Sequence, residues 1–422
     1  MRRGEENLWN IDWITVLLYV ILLGFGWLSI YASVYDETLN SGIFDPSLNS
    51  GRQFIFILIS IVPIIIILIL DFRIFDTFAI VFYGVSILLL IITLFVAREI
   101  NGARSWIELG SLRLQPSEFV KISTAIMLAK VVSTTGFKFH RFFDLAKALG
   151  VVLIPFALIV LQNDRGTAIV YASLIIVLYR EGMTPAPLIL GFFAVLLMSL
   201  TLTVEKLYLL ITLFSLFLIA LLIIKKKPQN ILIAVVILGA VTGFIYSVDF
   251  IMNDVLEPHQ KKRIEVVFNP NSDPLGAGWN VTQSKIAIGS GGLEGKGYLK
   301  GTQTKFDFVP EQSTDFIFCT IGEEHGFLGS FLFVVFFVTF LLRLVFISER
   351  QKWRFARVYG YSVVCIFFVH FAVNIGMTIG LFPVIGIPLP FFSYGGSSLF
   401  SFTIMLFLLL KFDSHRKQVL LH

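Results

Sequence analysis

Long apolar runs alternate with short polar connections along almost the whole chain. A run needs about 20 residues to cross the hydrocarbon layer of a bilayer. Twelve stretches reach or approach that length: residues 13–33, 52–70, 76–96, 117–134, 146–162, 166–180, 186–204, 207–224, 230–249, 314–346, 356–380 and 394–411. Two of these, 146–162 and 166–180, are short, and the three between 186 and 249 are the least sharply bounded. Runs this long satisfy their own backbone in lipid only as helices. The pattern predicts an all-α polytopic membrane protein of about 12 transmembrane helices, a single integral membrane domain over 1–422. The long polar interruption at 250–313 is predicted to be a large loop on one face.

Composition sharpens this. Of 422 residues, 56% are apolar and 14% charged, where soluble domains carry roughly a quarter charged. A water-soluble core cannot hide that much apolar surface. Many of the 44 phenylalanines are expected as lipid-facing bulk, and Cys319 and Cys365, each inside a separate apolar run, as packing thiols. Arg2 and Arg3 precede a first run with no small-residue cleavage site, which reads as a retained span.

The net charge of +5 matters by its placement. Arg2 and Arg3, Arg73, the Lys138/Arg141/Lys147 connection, Arg180, Lys225–Lys227, the Arg350/Lys352/Arg354/Arg357 connection and the Lys411/Arg416/Lys417 tail all fall on one side of the alternation. This positive-inside pattern predicts both termini in the cytoplasm. Two outer segments, 97–116 and 250–313, are basic nevertheless, which points to an anionic ligand. Nothing in the pattern suggests nucleic acid.

The second half of the long loop is glycine-rich: Gly276, Gly278, Gly289, Gly291, Gly292, Gly295, Gly297 and Gly301. Glycine permits positive φ and close backbone approach, here expected to a ligand. Val281, Ile286, Ile288, Leu293, Tyr298, Phe306 and Phe308 are interleaved with it, so an ordered segment resting on the membrane surface is expected. A short amphipathic helix is predicted between Gln283 and Ile288, with Lys285 on its polar side. Glu311 and Asp315 bracket the next helix start, as dipole caps or as site residues.

Three further polar clusters share this face: 101–107 with Gln115–Lys121, 162–167, and 391–398 after the proline-rich 383–390. Glu118 and Lys121 sit three apart inside the start of a span, where each ionisable group costs about 2.5–3.5 kcal/mol. Such groups face a cavity or a partner. Asp164 is either a helix N-cap or a site residue. The prolines and glycines of 383–398 predict broken backbone, which lipid tolerates only against protein or water. His370 and Asn374 are expected to make interhelical hydrogen bonds, and Arg343 to snorkel.

Taken in order, these segments resemble one known family. They are Gly102-Ala103-Arg104-Ser105-Trp106, Gln115-Pro116-Ser117-Glu118 with Lys121, Asp164 with Gly166-Thr167-Ala168, and Asp273-Pro274-Leu275-Gly276-Ala277-Gly278. Gly301-Thr302-Gln303, Pro310-Glu311-Gln312 with Thr314-Asp315-Phe316, and Pro388-Leu389-Pro390-Phe391 with Ser393-Tyr394-Gly395-Gly396-Ser397-Ser398 follow. The whole resembles the SEDS proteins (shape, elongation, division, sporulation), and 273–329 looks most like the RodA branch. The resemblance implies a peptidoglycan glycosyltransferase of the bacterial cytoplasmic membrane. Such enzymes polymerise lipid II, the undecaprenyl-diphosphate-linked disaccharide pentapeptide, in cell-wall elongation and shape maintenance. Implied partners are a class B penicillin-binding protein and membrane proteins of the elongation complex. It places the family's loop aspartate at Asp273, its outer tryptophan at Trp106 and its second aspartate at Asp164. The family's ten spans leave a predicted extra helical hairpin in 186–249.

Polymerisation needs a sugar hydroxyl to attack an anomeric carbon activated by diphosphate. Asp273 is the expected general base. Arg104, Lys121, Lys285 or Lys296 would meet the diphosphate, with Trp106, Glu118, Asp164, Gln303, Ser393 and Ser397 as further substrate-binding residues. A divalent cation, Mg or Mn, is compatible with this chemistry, although no metal-spacing motif specifies one. The competing readings are a lipid II flippase, which predicts coupling residues at mid-membrane, and a noncatalytic scaffold for a penicillin-binding protein.

Overall fold

The computed structural model describes residues 10–35, 42–100, 102–110, 112–224, 227–256, 261–262, 264–266, 277–306 and 308–416. Among them, ten helices are long and apolar enough to cross a membrane. The chain forms two compact units, 1–183 with 283–380 and 385–422, and 184–282 with 381–384.

The larger unit begins with α1 (Trp13–Val34), α2 (Asn49–Ile69), the single turn α3 (Arg73–Thr77) and α4 (Ala79–Val96). A departure from the all-helical expectation follows. Residues 98–114 form a three-stranded antiparallel sheet, β1 (Arg98–Ile100), β2 (Ala103–Leu109) and β3 (Leu112–Leu114). Arg98 pairs with Trp106, and Glu108 with Arg113. Two glycines at positive φ, Gly102 and Gly110, make the reversals that so short a meander needs. Arg98 and Arg113 both lie 3.5 Å from Glu108, exposed pairs worth a few tenths of a kcal/mol to about 1 kcal/mol.

The sheet leads into α5 (Pro116–Ser133), with Pro116 in its first turn and Glu118 at the positive end of its dipole. Helix α6 (Phe142–Leu161) and the broken pair α7 (Arg165–Ala172) and α8 (Leu174–Arg180) follow. Here two of the twelve expected runs are helical but fall outside the ten. The first, α5, carries Glu118, Lys121 and Lys130, and the second is interrupted at Ser173.

The smaller unit holds α9 (Ala186–Thr203), α10 (Lys206–Ile223) and α11 (Pro228–Phe250), which ends in a π-helical turn (Ile251–Val255). Lys206 forms an ion pair with Asp249, and its ammonium lies 4.1 Å from the Tyr246 ring centre. No residue of α9 is buried, as suits a helix solvated by lipid.

After 266, the described chain resumes at α12 (Ala277–Ser290). This is longer than the helix expected over 283–288, and Lys285 is exposed as anticipated. The larger unit closes with α13 (Ile317–Glu349), α14 (Arg354–Thr378) and α15 (Gly396–Ser414). Helix α13 is bent at Gly326, whose φ of 63° and ψ of −160° leave the helical region. Of the ten long helices, the last two are the most buried. Many phenylalanines are exposed on the helices, while others build an aromatic core between α13, α14 and α15. Phe337 stacks on Phe371 at 4.4 Å, and Phe340, Phe367, Phe391 and Phe402 fill the space around them. Both cysteines are free and buried.

At the end opposite the sheet, buried carboxylates gather arginines from distant elements. Arg343, near the inner end of its helix, has a partner: its Nε and Nη2 each lie 2.9 Å from Asp12, ahead of α1. Arg350, Gln351 and Arg416 converge on Asp413. Glu181, in the turn after α8, accepts from Arg357 at 2.8 and 3.1 Å and from Arg354 at 3.1 Å. Burial alone would raise its pKa, but the hydrogen bonds and charges of Arg357 and Arg354 outweigh that and hold the carboxyl below its usual range.

A depressed carboxylate stabilises the folded state at pH values above its unfolded pKa, and that stability is lost as pH falls through the folded value. Glu181→Gln should therefore lower the melting temperature at neutral pH, by a stability loss of about 1–3 kcal/mol. The difference from wild type should shrink as pH is taken below about 4.3, the ordinary value for glutamate. Parallel melting curves at all pH values would contradict the assignment.

Candidate functional site

Four polar residues lie within the first two turns of α5 or just before it. Gln115 Nε2 donates to Asp164 Oδ2 at 2.9 Å, and Ser117 Oγ lies 3.5 Å from the same oxygen. Glu118 and Lys121, three residues apart and therefore on one helix face, form an ion pair at 2.8 Å. Both are essentially buried, 2% and 1% exposed. Lys121 Nζ also lies 3.0 Å from His370 Nε2 on α14 and 4.9 Å from the centre of the Phe402 ring. The second oxygen of Glu118, Oε2, is buried and meets no partner among the described residues.

Asp164 caps α7, its Oδ1 accepting from the Thr167 amide at 3.1 Å while Oδ2 accepts from Thr167 Oγ1 at 3.0 Å. It thus caps one helix, as one of its two expected roles has it, and also joins that helix to the start of α5. Arg165 follows, exposed. Gly166 is required here for space: a Cβ would stand 2.3 Å from the Ile385 carbonyl oxygen. The sheet is fastened to the same corner, because the Arg104 amide donates to Gln162 O at 2.8 Å and Asn163 Nδ2 donates to Gly102 O at 2.7 Å. The side chain of Arg104 is exposed beside Glu99, and Trp106 is half-buried on β2.

The segment 385–395 is irregular, as its prolines and glycines predict, and side chains from several helices serve its peptide groups. Asn374 donates to Ile387 O at 2.7 Å and Asp315 O at 2.9 Å, both outside the helices, so it ties α14 to irregular backbone where a bond between helices was expected. His370 Nδ1 lies 2.9 Å from Pro388 O. Gln53 accepts from the Gly395 amide at 3.1 Å. Ser393 Oγ donates to Thr314 O and accepts from the Leu389 amide, and Ser397 Oγ accepts from the Gln115 amide at 3.2 Å. The two serines expected at a ligand therefore hold backbone together.

A second buried carboxylate pair lies on α13. Glu323 accepts from the amides of Thr302, Gln303 and Thr304 at 2.7–3.0 Å, from both threonine hydroxyls, and from Lys296 Nζ at 2.6 Å. Lys296, expected at the diphosphate, and Gln303, expected as a further substrate-binding residue, are thus built into a carboxylate-centred turn, and the ammonium charge of Lys296 is balanced. The glycines around them approach this chain's own backbone. A Cβ on Gly291 would lie 2.0 Å from Gly322 O, and one on Gly295 2.2 Å from Glu324 O. Glu324 accepts from the Leu299 amide at 2.9 Å, and its Oε2 has no partner among the described residues. Burial, and then the charge of Glu324, push the Tyr298 hydroxyl up to about 12.

Glu323 and Glu324 were missed because they lie inside an apolar run. The rule that singled out Glu118 and Lys121, ionisable groups inside a span, applies to them equally. Lys285 is exposed and meets no carboxylate among the described residues. Asp273 lies outside the described residues. Among those described, no three His, Cys, Asp or Glu side chains gather at a common point that would hold a metal ion.

The class these features define is a polytopic helical membrane protein with a buried polar site at its sheet-bearing end. The chain matches the family description of the FtsW, RodA and SpoVE cell cycle proteins over residues 12–216 and 187–418, and it belongs to that family, the SEDS proteins. It is 35% identical to the peptidoglycan glycosyltransferase RodA of Treponema pallidum (strain Nichols) over 96% of this chain and 98% of the other. It is 32% identical to the peptidoglycan glycosyltransferase MrdB of Escherichia coli (strain K12), over 82% and 80% of the two chains. Among solved structures, a chain of a peptidoglycan synthase complex that coordinates polymerization and crosslinking superposes with a TM-score of 0.68 at 27% identity, over 97% of this chain and 99% of that one. The rod shape determining protein RodA of Thermus thermophilus superposes at 0.63 with 24% identity, over 96% and 97%, and supports the fold alone.

The Glu323 cage makes a prediction. Glu323→Ala leaves three amides without their acceptor, which should cost about 2–4 kcal/mol. Protease cleavage within 296–305 should rise together with a fall in melting temperature. An unchanged digest would show that the turn holds without its carboxylate.

Proposed function

We propose that this protein polymerises lipid II, with Asp273 as general base and the buried Lys121–Glu118 pair among the groups that receive the substrate. Its enzyme class, peptidoglycan glycosyltransferase, follows from homology along nearly the whole chain. In the proposed step a sugar hydroxyl attacks the anomeric carbon of a second lipid II. The hydroxyl proton passes to the Asp273 carboxylate, the new glycosidic C–O bond forms, and the bond to the lipid diphosphate breaks. The observation that carries the reading is that a fully buried lysine and glutamate, expensive inside an apolar bundle, each retain unused hydrogen-bonding capacity at the end of α5.

A diphosphate leaving group asks for donors as well as charge. Because Glu118 balances Lys121, that pair offers a directed N–H more than a net positive field. Net charge would come from Lys285 and Arg104, both exposed. Lys296 and Gln303 would act by shaping the Thr302–Thr304 turn, and Ser393 and Ser397 by holding the 385–398 segment. Elongation and shape maintenance are the proposed role, on the strength of the RodA and MrdB relatives. A class B penicillin-binding protein is the proposed partner, by analogy with the synthase complex.

In the membrane, α5 and the α7–α8 pair are proposed to cross alongside the ten long helices, giving twelve spans with both termini cytoplasmic. The region 186–249 would include an inserted hairpin. What supports the insertion is that the two pieces matching the family overlap over residues 187–216. An even number of extra spans preserves the sidedness of everything after them.

Two experiments follow. Asp273→Ala should abolish glycan-strand formation from purified lipid II while leaving expression and thermal stability near wild type; full polymerisation would remove Asp273 from the mechanism. A cysteine introduced at Lys227 should react with a membrane-impermeant maleimide only in inverted vesicles, against low background because both native thiols are buried. Labelling in intact cells would reverse the proposed topology.

A further inference from the structure

We infer that His370 is a positioning residue for the Lys121–Glu118 pair, a single imidazole tautomer holding the lysine ammonium in place while leaving it one unused proton. This rests on the reading of that pair as substrate-binding. Pro388 O, 2.9 Å from Nδ1, can only accept, so Nδ1 carries a hydrogen. One proton then lies between Nε2 and the Lys121 nitrogen 3.0 Å away. An amine is a far stronger base than an imidazole, and Glu118 Oε1 at 2.8 Å further favours the ammonium form. The proton therefore belongs to Lys121, and Nε2 is a bare acceptor.

An ammonium group has three N–H donors. One goes to Glu118 and one to His370. Among the described residues, Lys121 meets nothing else polar, only the Phe402 ring, against whose face His370 also packs at 4.8 Å and 82°. The remaining proton and the unpartnered Glu118 Oε2 are thus a donor and an acceptor, both buried. Leaving such groups unmet is costly, and a ligand bringing an acceptor beside a donor, as a hydroxyl-bearing sugar or a protonated phosphate does, would satisfy both. The imidazole also links this pair to the irregular 385–395 segment through Pro388, so the ammonium position depends on that segment's path. A histidine serving only to pack would leave Nε2 free of any demand.

The test has two arms. In the wild-type protein, the ring ¹⁵N shifts of His370 should report a protonated Nδ1 and a bare Nε2; an Nε2–H tautomer or an imidazolium overturns the inference whatever the enzyme does. In the second arm, initial rates of glycan formation from lipid II are compared for His370→Gln and His370→Leu, with melting temperatures. The amide supplies one donor and one acceptor and should stay within about threefold of wild type, whereas leucine, of similar size, should lose about tenfold or more. Equal rates for the two variants overturn the role. Leucine added to Lys121→Ala should cost less than about twofold further, because the two residues act through one interaction. An additive loss points to packing and overturns it. Lys121→Ala polymerising at the wild-type rate would instead remove the substrate-binding reading and with it the function of the linkage, a result the tautomer measurement tells apart. If His370→Leu fails to fold, the glutamine rate and the tautomer decide.

Discussion

The larger unit depends on one constraint: a peptide group that leaves a helix inside an apolar bundle must find a hydrogen-bond partner, because water is not at hand to supply one. Two irregular segments meet that demand with buried side chains. The 385–395 stretch uses Gln53, His370, Asn374 and Ser393, and the 302–304 turn uses both oxygens of Glu323. Each of these side chains is anchored in or beside a helix whose aromatic packing sets its position. Side-chain chemistry here therefore fixes backbone paths, and the path of the backbone in turn sets where the α5 residues can sit.

That constraint explains what the sequence made legible. Long apolar runs and their spacing mark the helices, because burial in lipid acts on composition alone. Broken backbone at 383–395 is readable from its prolines and glycines. So is the cap at Asp164, whose position before α7 fits one, although its bond to Gln115 is not. The sheet at 98–114 was less visible: its strands are three to seven residues long, too short for alternation to stand out in a chain dominated by helical periods. Its signal was there in Gly102 and Gly110, each between short runs that mix charged and branched residues.

Pairings over long separations were illegible for a different reason. Arg343 and Asp12 are 331 residues apart, and Lys121 and His370 are 249 apart. No local pattern records such a partner. The glycine-rich loop carried the opposite hazard, a strong local signal with two physical readings. Glycine allows close approach of backbone to anything, and at Gly291 and Gly295 the neighbour is the start of α13. Asp273, the residue on which the chemistry is proposed to turn, lies outside the described residues, so its assignment rests on the motif around it.

The two lysine–glutamate pairs, one buried and one with a partly exposed lysine, show how similar ingredients serve different ends. Glu323 meets Lys296, three amides and two hydroxyls, so its charge is satisfied many times over and Lys296 is committed to it. Glu118 meets Lys121 through one oxygen, and the other is left bare. A fully satisfied carboxylate rigidifies the backbone it binds, and nothing further is gained there by adding a ligand. A half-satisfied one keeps a standing free-energy cost that a ligand can remove. By that criterion the Thr302–Thr304 turn is scaffold, whereas the first turns of α5, like the bare Oε2 of Glu324, are where binding energy remains to be gained. The same criterion separates the lysines: Lys296 has no charge to spare for a diphosphate, whereas Lys121, held between Glu118 and His370, has one donor still to give.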